Sequence, residues 1–209
     1  MKRTRLIILA CTVLLAGCKF VVTEKKGGDA GGSGATAPEQ QVAEMWDAKV
    51  LPYLEAKAGD FKTVSEAVRT NAEAAGATYG NKEKQASSPW TVIVRLEGKI
   101  VAANTESRAG SIDVDADGNG SADARVQIGP VMRGTSLRDS LDFVSFNQFT
   151  NQIDFAQFGK AFNLHVDKTL TSKLPRDQLV GKTVSVLGAF PVENGKDLPL
   201  VTPAKIELK

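Results

Sequence analysis

The chain has 209 residues, of which 42% are hydrophobic, with 26 basic and 24 acidic side chains. Three of the basic residues, Lys2, Arg3 and Arg5, precede position 18 and no acidic residue does, so 23 basic and 24 acidic side chains remain beyond it. A surface so close to neutral gives no electrostatic footprint for nucleic acid.

Behind that basic start, Leu6 to Leu15 form an apolar run too short to cross a bilayer, which takes about 20 residues. The pattern fits a signal peptide over residues 1–17. Leu15-Ala16-Gly17-Cys18 resembles the lipobox of bacterial lipoproteins. That resemblance implies cleavage before Cys18 and acyl chains on its sulfur and new amino group. At about 0.8 kcal/mol per buried methylene, several chains hold a protein firmly to a membrane. Lys19 replaces the Asp that marks inner-membrane retention in enteric bacteria, which points to the outer membrane. Residues 18–37 are rich in Lys, Gly, Ser and Ala and read as a flexible tether spanning on the order of 25 Å. Cys11 and Cys18 are the only cysteines, so the chain beyond Cys18 has no internal disulfide and must be held by its core.

Ordered structure is expected from Pro38. Residues 38–80 read as a helical segment. Val42, Met45, Trp46 and Val50 recur at helical spacing, and Pro52 interrupts or kinks the helix. Thr63 and Glu66 form a capping-box pattern for a second helix, with Gly76 after its last turn. After Gly80 the texture becomes β-branched. Trp90–Leu96 reads as a strand continued by Lys99–Ala103 across a bend or bulge at Glu97-Gly98. Ser111–Val114 and Ala124–Gly129 are two more, around a polar turn. A helical region over roughly 136–172 precedes strands at Lys182–Gly188 and Leu200–Leu208. Three strands, a helix and two strands is the order of a five-stranded OB barrel. The fold class is therefore α+β, an OB-like barrel over 81–209 preceded by a helical segment, with another small mixed barrel or sheet as the alternative.

Three stretches hold candidate chemistry. Asp115, Asp117, Asn119, Ser121 and Asp123 place oxygens at alternate positions around Gly120, a pattern suited to weak Ca²⁺ binding. The loop resembles EF-hand and Asp-rich hairpin loops but has Val126 where an EF-hand needs a bidentate Glu. The same residues also suit a bare hairpin turn. Six of the nine Phe residues lie between 143 and 162, interleaved with Asn147, Gln148, Asn151 and Gln152. Phe155, Phe158 and Phe162 should bury one helix face. The amides suit either a polar uncharged solute such as a sugar or the capping of irregular backbone. Arg133, Arg138 and Asp139 could hold an anion or form an ion pair between barrel and helix.

Catalytic arrangements find little support. His165 is the single histidine and no cysteine remains free, which excludes a Cys–His nucleophile and a histidine-rich zinc site. No Gly-x-Ser-x-Gly elbow, P-loop or dinucleotide fingerprint occurs. The expectation is a non-enzyme.

Several runs carry a wider resemblance: Thr78-Tyr79-Gly80, Ser88-Pro89-Trp90, Ser107-Arg108-Ala109-Gly110, the Asp-rich hairpin, Gln127-Ile128-Gly129-Pro130-Val131, Arg133-Gly134-Thr135 with Arg138-Asp139, and Phe146 to Gln152. Together they resemble a family of predicted periplasmic lipoproteins of unknown function. Members are often encoded beside sugar-type ABC transporter components. The resemblance implies a periplasmic, lipid-anchored accessory of solute uptake, with a transporter component, a solute-binding protein or a small polar solute as partner. It carries no assigned site residues. A structural envelope protein with a calcium-stiffened hairpin is the alternative.

Overall fold

The computed structural model of the chain describes residues 37–84, 87–193 and 197–209. The signal segment, Cys18 and the tether as far as residue 36 lie outside the described residues. Val42, Trp46, Val50 and Leu54 recur every fourth position, and all four are buried. They run along α1 (Pro38–Met45), a π-helical turn (Trp46–Val50) and α2 (Leu51–Lys57). Pro52 does not break this run. It sits in the first turn of α2, and the Leu51 N–H reaches back to the Trp46 carbonyl. The widened turn tolerates a residue that has no N–H to donate.

A two-residue strand, β1 (Gly59–Asp60), leads into α3 (Phe61–Thr70) and α4 (Ala72–Tyr79). The cap of α3 is Asp60 rather than Thr63. Its carboxylate accepts the Thr63 N–H and hydroxyl, both at 3.0 Å. Asn71, in an extended conformation, separates the two helices and caps α4 by accepting the Ala74 N–H. Gly76 therefore does not end the helix. It lies inside α4, where a Cβ would fall 2.2 Å from Cγ of Trp90.

The strands that follow are β2 (Thr91–Asn104), β3 (Ser111–Asp115) and β4 (Ala124–Gln127). The expected helical region resolves into α5 (Ser136–Asp139), a 3-10 turn (Phe146–Gln148), α6 (Gln152–Thr169) and a further 3-10 turn (Thr171–Lys173). Then come β5 (Thr183–Pro191) and β6 (Leu200–Leu208). β2 is one long strand shared between two partners. Thr91–Lys99 pair with β5, and Lys99–Asn104 pair with β3. Its bulge lies between Ile100 and Ala102, three residues beyond the expected place. Gly98 instead allows a close crossing: a Cβ there would lie 2.2 Å from the Asp115 carbonyl oxygen. β3 pairs with β4, β4 runs parallel to β6, and β6 returns to β5. The circuit β2-β3-β4-β6-β5-β2 is a closed five-stranded barrel with the OB order. β1 adds a short parallel pairing outside that circuit, at Val94 and Arg95 of β2.

Alternation along the strands produces two cores. Val92, Val94, Leu96, Val114, Val126, Val184, Val186, Phe190 and Val201 fill the barrel. Phe61 and Val64 of α3 join them near the Thr91–Pro191 end of the β2–β5 ladder, so the helical segment contributes to the barrel core. The second core lies on the outer wall, where Ile93, Leu187, Ala189 and Ala204 meet Trp46, Leu54, Leu137, Leu141, Phe158, Phe162 and Val166. β5 is thus buried on both faces. Each large side chain so buried contributes about 1.5–3 kcal/mol. Residues Thr36–Lys209 form one compact unit. Among the described residues, no helix is long and apolar enough to cross a membrane.

Candidate functional site

The Asp-rich hairpin joins β3 to β4, and its carboxylates are engaged by backbone amides. Asp115 accepts the Gly118 and Gly120 N–H groups, one on each oxygen, at 2.7 and 2.8 Å. One oxygen of Asp123 accepts from Ala116 at 2.8 Å and Asp117 at 3.2 Å. Asp117 takes both the N–H and the side-chain amide of Asn119, and Asn119 in turn accepts the Ser121 N–H. Gly118 and Gly120 adopt φ of 84° and 90°, which L side chains disfavour. The Gly120 N–H, against the opposing effect of burial and with help from Gly118, holds the Asp115 carboxyl below its usual range. Oxygens of Asp115, Asp117 and Asp123 lie within 4.8 Å of one another. Those three carboxylates are the groups that could hold a cation. Ser121 supplies a backbone N–H to the turn, and its side chain is exposed.

The second group of candidates does not form one site. Arg138 is only 7% exposed. Its Nε and Nη2 donate to Asp139, Nη2 also to Thr135 at 3.0 Å, and Nη1 to the Phe155 carbonyl at 2.8 Å. Its guanidinium carbon stands 3.7 Å from the Phe155 ring centroid. Gly159 permits this: a Cβ there would lie 2.7 Å from Nη1. Arg138 therefore ties α5 to α6. Gln148 closes a capping box with Ser145 and donates to the Phe143 carbonyl. Asn151 caps α6 by accepting the Ile153 and Asp154 N–H groups. Arg133, Asn147 and Gln152 are exposed. Gln127, 5% exposed, fixes the 133 backbone by accepting the Arg133 N–H and donating to its carbonyl.

Of the polar candidates, Gln152 and the buried Arg138 border a continuous groove. Thr135, Gln152 and Ala156 are shared by its two halves. One half, 620 Å³ in volume, runs along Met132, Gly134, Ile153, Gln157, Lys160 and Asn163. The other reaches Arg138, Phe146 and Phe155. The groove is shallow and open, and Ile153 stands on it 68% exposed. Sequence reasoning missed this surface. The available signal was Ile153 itself, an apolar residue off the 155/158/162 stripe.

The outward face of β3 and β4, where OB barrels bind their ligands, carries a fixed ion pair. Arg125 bonds Asp113 through Nε at 2.7 Å and Nη2 at 2.8 Å, across directly paired strand positions. His165 lies against Trp46, ring centroids 4.3 Å apart, and burial pushes its pKa below the usual value.

The fold has a solved counterpart. An OB-fold protein from Thermotoga maritima is 17% identical in sequence, covers 84% of this chain and all of its own, and superposes with a TM-score of 0.68. No curated protein matches the chain. The model of a family described as predicted periplasmic lipoprotein, DUF2291, matches residues 8–207. That span takes in nearly all of the chain, including part of the expected signal segment, and the chain belongs to this family of predicted periplasmic lipoproteins.

Proposed function

We propose that the protein is a non-enzymatic accessory of solute uptake, anchored by lipid on Cys18 and docking a transporter component or solute-binding protein through the groove along α6. The carrying observation is the groove's shape and lining. Ile153 and Ala156 lie exposed, next to half-buried Met132, beside the neutral amides Gln152 and Gln157. A small polar solute is held by enclosure, with most of its surface buried. A shallow, mixed surface suits another protein's side chains. The aromatic side of the groove has little left to offer a sugar, because Arg138 covers one face of Phe155 and Phe146 and Phe149 pack against its ring. The non-enzymatic reading draws support from His165, whose ring is taken up by packing on Trp46.

Photo-crosslinking in native envelopes tests the docking. A photoreactive residue at Ile153 should capture a transport protein, and one at Ser111 should not. Capture at neither position, or equally at both, refutes it. A saturable melting shift with one member of a sugar panel would replace the protein partner with a solute. For the anchor, Cys18→Ser should move the protein from the membrane to the soluble fraction, and wild-type material should carry acyl mass on its N-terminal cysteine. Fractionation after inner- and outer-membrane separation reports which membrane holds it, expected to be the outer.

The clustering of three carboxylates within 4.8 Å favours a second reading, an envelope protein with a calcium-stiffened hairpin. It predicts a higher melting temperature at millimolar Ca²⁺, reversed by a chelator and lost in Asp117→Asn. An unchanged melting temperature removes it.

A further inference from the structure

The groove along α6 is preformed. Asn163 donates its side-chain amide to the Gly134 carbonyl at 2.9 Å, which ties α6 to the 132–135 wall. Buried Gln127 holds that wall at Arg133 through both backbone groups. On the helix side Ile153, Ala156, Gln157 and Lys160 follow at i, i+3, i+4 and i+7, all exposed. They make one face about 10 Å long. Ala156 is small between Ile153 and Lys160 and leaves room there for an incoming side chain.

The charge along this half of the groove has one sign. Lys160 is the charged residue that lines it, and no carboxylate does. Arg133 is exposed on the opposite wall, between the lining residues Met132 and Gly134. Among the described residues, neither the Arg133 guanidinium nor the Lys160 ammonium has a carboxylate partner. The next acid along that face of α6 is Asp167, about two turns beyond Lys160, where it accepts the Thr171 hydroxyl. Asp139 is engaged by Arg138 and Thr135. An apolar floor between two unpaired cations calls for an apolar stripe flanked by carboxylates.

We propose, resting on the docking proposed above, that the segment of the transport protein that enters this groove is an acidic amphipathic helix. Its apolar stripe packs on Ile153 and Ala156, and its Asp or Glu side chains meet Lys160 on one wall and Arg133 on the other. Gln152 and Gln157 pair with its polar flank. An anionic membrane surface is a poorer match, because the face is concave and brings two free cations where headgroup-binding clusters hold about four to eight.

The test is photo-crosslinking from Ile153 in native envelopes, with the attached peptide sequenced by mass spectrometry and Ser111 as the control position. A transport protein should be captured through a peptide that carries Asp or Glu within a helical turn of the attachment point. R133E/K160E should lower capture at least about five-fold and R133Q/K160Q about two-fold, while R133K/K160R should keep it. Changing the partner's acid to Lys should restore capture by R133E/K160E, the mark of a direct pair. Both positions are exposed, and an unchanged melting temperature shows each variant folded. Capture at Ile153 that R133E/K160E leaves unmoved, or that runs through a peptide without an acid, overturns the acidic helix and leaves docking standing. Capture at neither position, or equally at both, removes docking and the helix with it. A crosslink from Ile153 to lipid, or to residues 19–36 of the same chain, identifies a different occupant and overturns the proposal.

Discussion

Replacing Arg138 by Met separates a structural arginine from a ligand-binding one. Methionine keeps the apolar stem and removes the guanidinium. The Phe155 carbonyl, a part-buried acceptor within α6, then loses a hydrogen bond from a charged donor, worth about 1.5–3 kcal/mol. Loss of the cation–π contact at 3.7 Å adds about 1 kcal/mol. The Asp139 carboxylate is 32% exposed, so water recovers much of what it loses and its pairing adds little. The expected loss is about 3 kcal/mol. For a compact unit spanning Thr36–Lys209 that lowers Tm by roughly 6–12 °C. Arg138→Lys keeps a charge but not the planar fork, and should lose about 2 kcal/mol. Urea unfolding of residues 36–209 gives both numbers. Gly159→Ala supplies an internal check, because its Cβ would press on Nη1 of Arg138 and on Thr135 Cγ2, at 2.7 and 2.6 Å. It should cost less in the Arg138→Met background than alone, a non-additivity expected only of touching groups. A surface arginine reserved for a ligand would change stability by no more than about 0.5 kcal/mol. A loss below about 1 kcal/mol for Arg138→Met, or strict additivity with Gly159→Ala, would refute the reasoning.

Gly98→Ala should be among the most damaging single changes, since the added carbon meets the Asp115 carbonyl oxygen at 2.2 Å and the Val114 side chain at 2.8 Å. A loss above about 3 kcal/mol in urea unfolding is expected. Asp115 links the hairpin to pH. Its folded pKa is depressed by the Gly120 N–H, so its contribution is fully present above the ordinary carboxylate range and is lost as pH falls through the folded value. Amide exchange of Gly118 and Gly120 should therefore accelerate on acidification below about pH 4, relative to the rate change in free peptides. Tyr53, its pKa pushed up to about 12 by burial and by Asp142, should ionise well above the usual tyrosine range in a spectroscopic titration, and Asp142→Asn should bring it down.

The barrel was legible because its strands obey a short-range rule. β-branched residues run along Thr91–Val94 and recur at Thr183, Val184 and Val186, and the intervening polar and helical stretches fall in the OB order. β6 covers the same residues, Leu200 to Leu208, that its pattern marks out. What escaped depends on partners distant in sequence. Gly76 reads as a helix end until Trp90 is seen packed on it. Gly98 reads as a bulge until β3 crosses it. Thr63 and Glu66 form a capping pattern, but Asp60 lies one turn earlier and is the stronger acceptor. The Asp-rich loop was ambiguous for a chemical reason, since the oxygens that ligate a cation are the same ones that accept turn amides. Arg138 and the amides Gln148 and Asn151 shared that ambiguity, and the structure shows them bonded within the chain.

The distribution of polar groups also decides which OB surface can be in use. Single-stranded nucleic acid binds such barrels by stacking bases on aromatic rings along a positive groove. On the outward face of β3 and β4 the described side chains are Ser111, Asp113, Arg125 and Gln127. Arg125 is neutralised by Asp113, and Gln127 is spent on Arg133 and Thr202. That face offers neither stacking surface nor free charge. The Phe residues of the 143–162 cluster lie instead on the outer wall, where Phe149, Phe158 and Phe162 continue through tilted and T-shaped ring contacts toward Trp46. Burying β5 on both sides is what moved them there: the wall that a solvated barrel would expose became a second core. The groove along α6 is built from elements added around the barrel, so swapping the outward residues of β3 and β4 in pairs, as in Asp113→Thr with Arg125→Thr, should cost modest stability and leave crosslinking at Ile153 unchanged. Loss of that crosslink in a folded Asp113→Thr/Arg125→Thr protein would return recognition to the usual face.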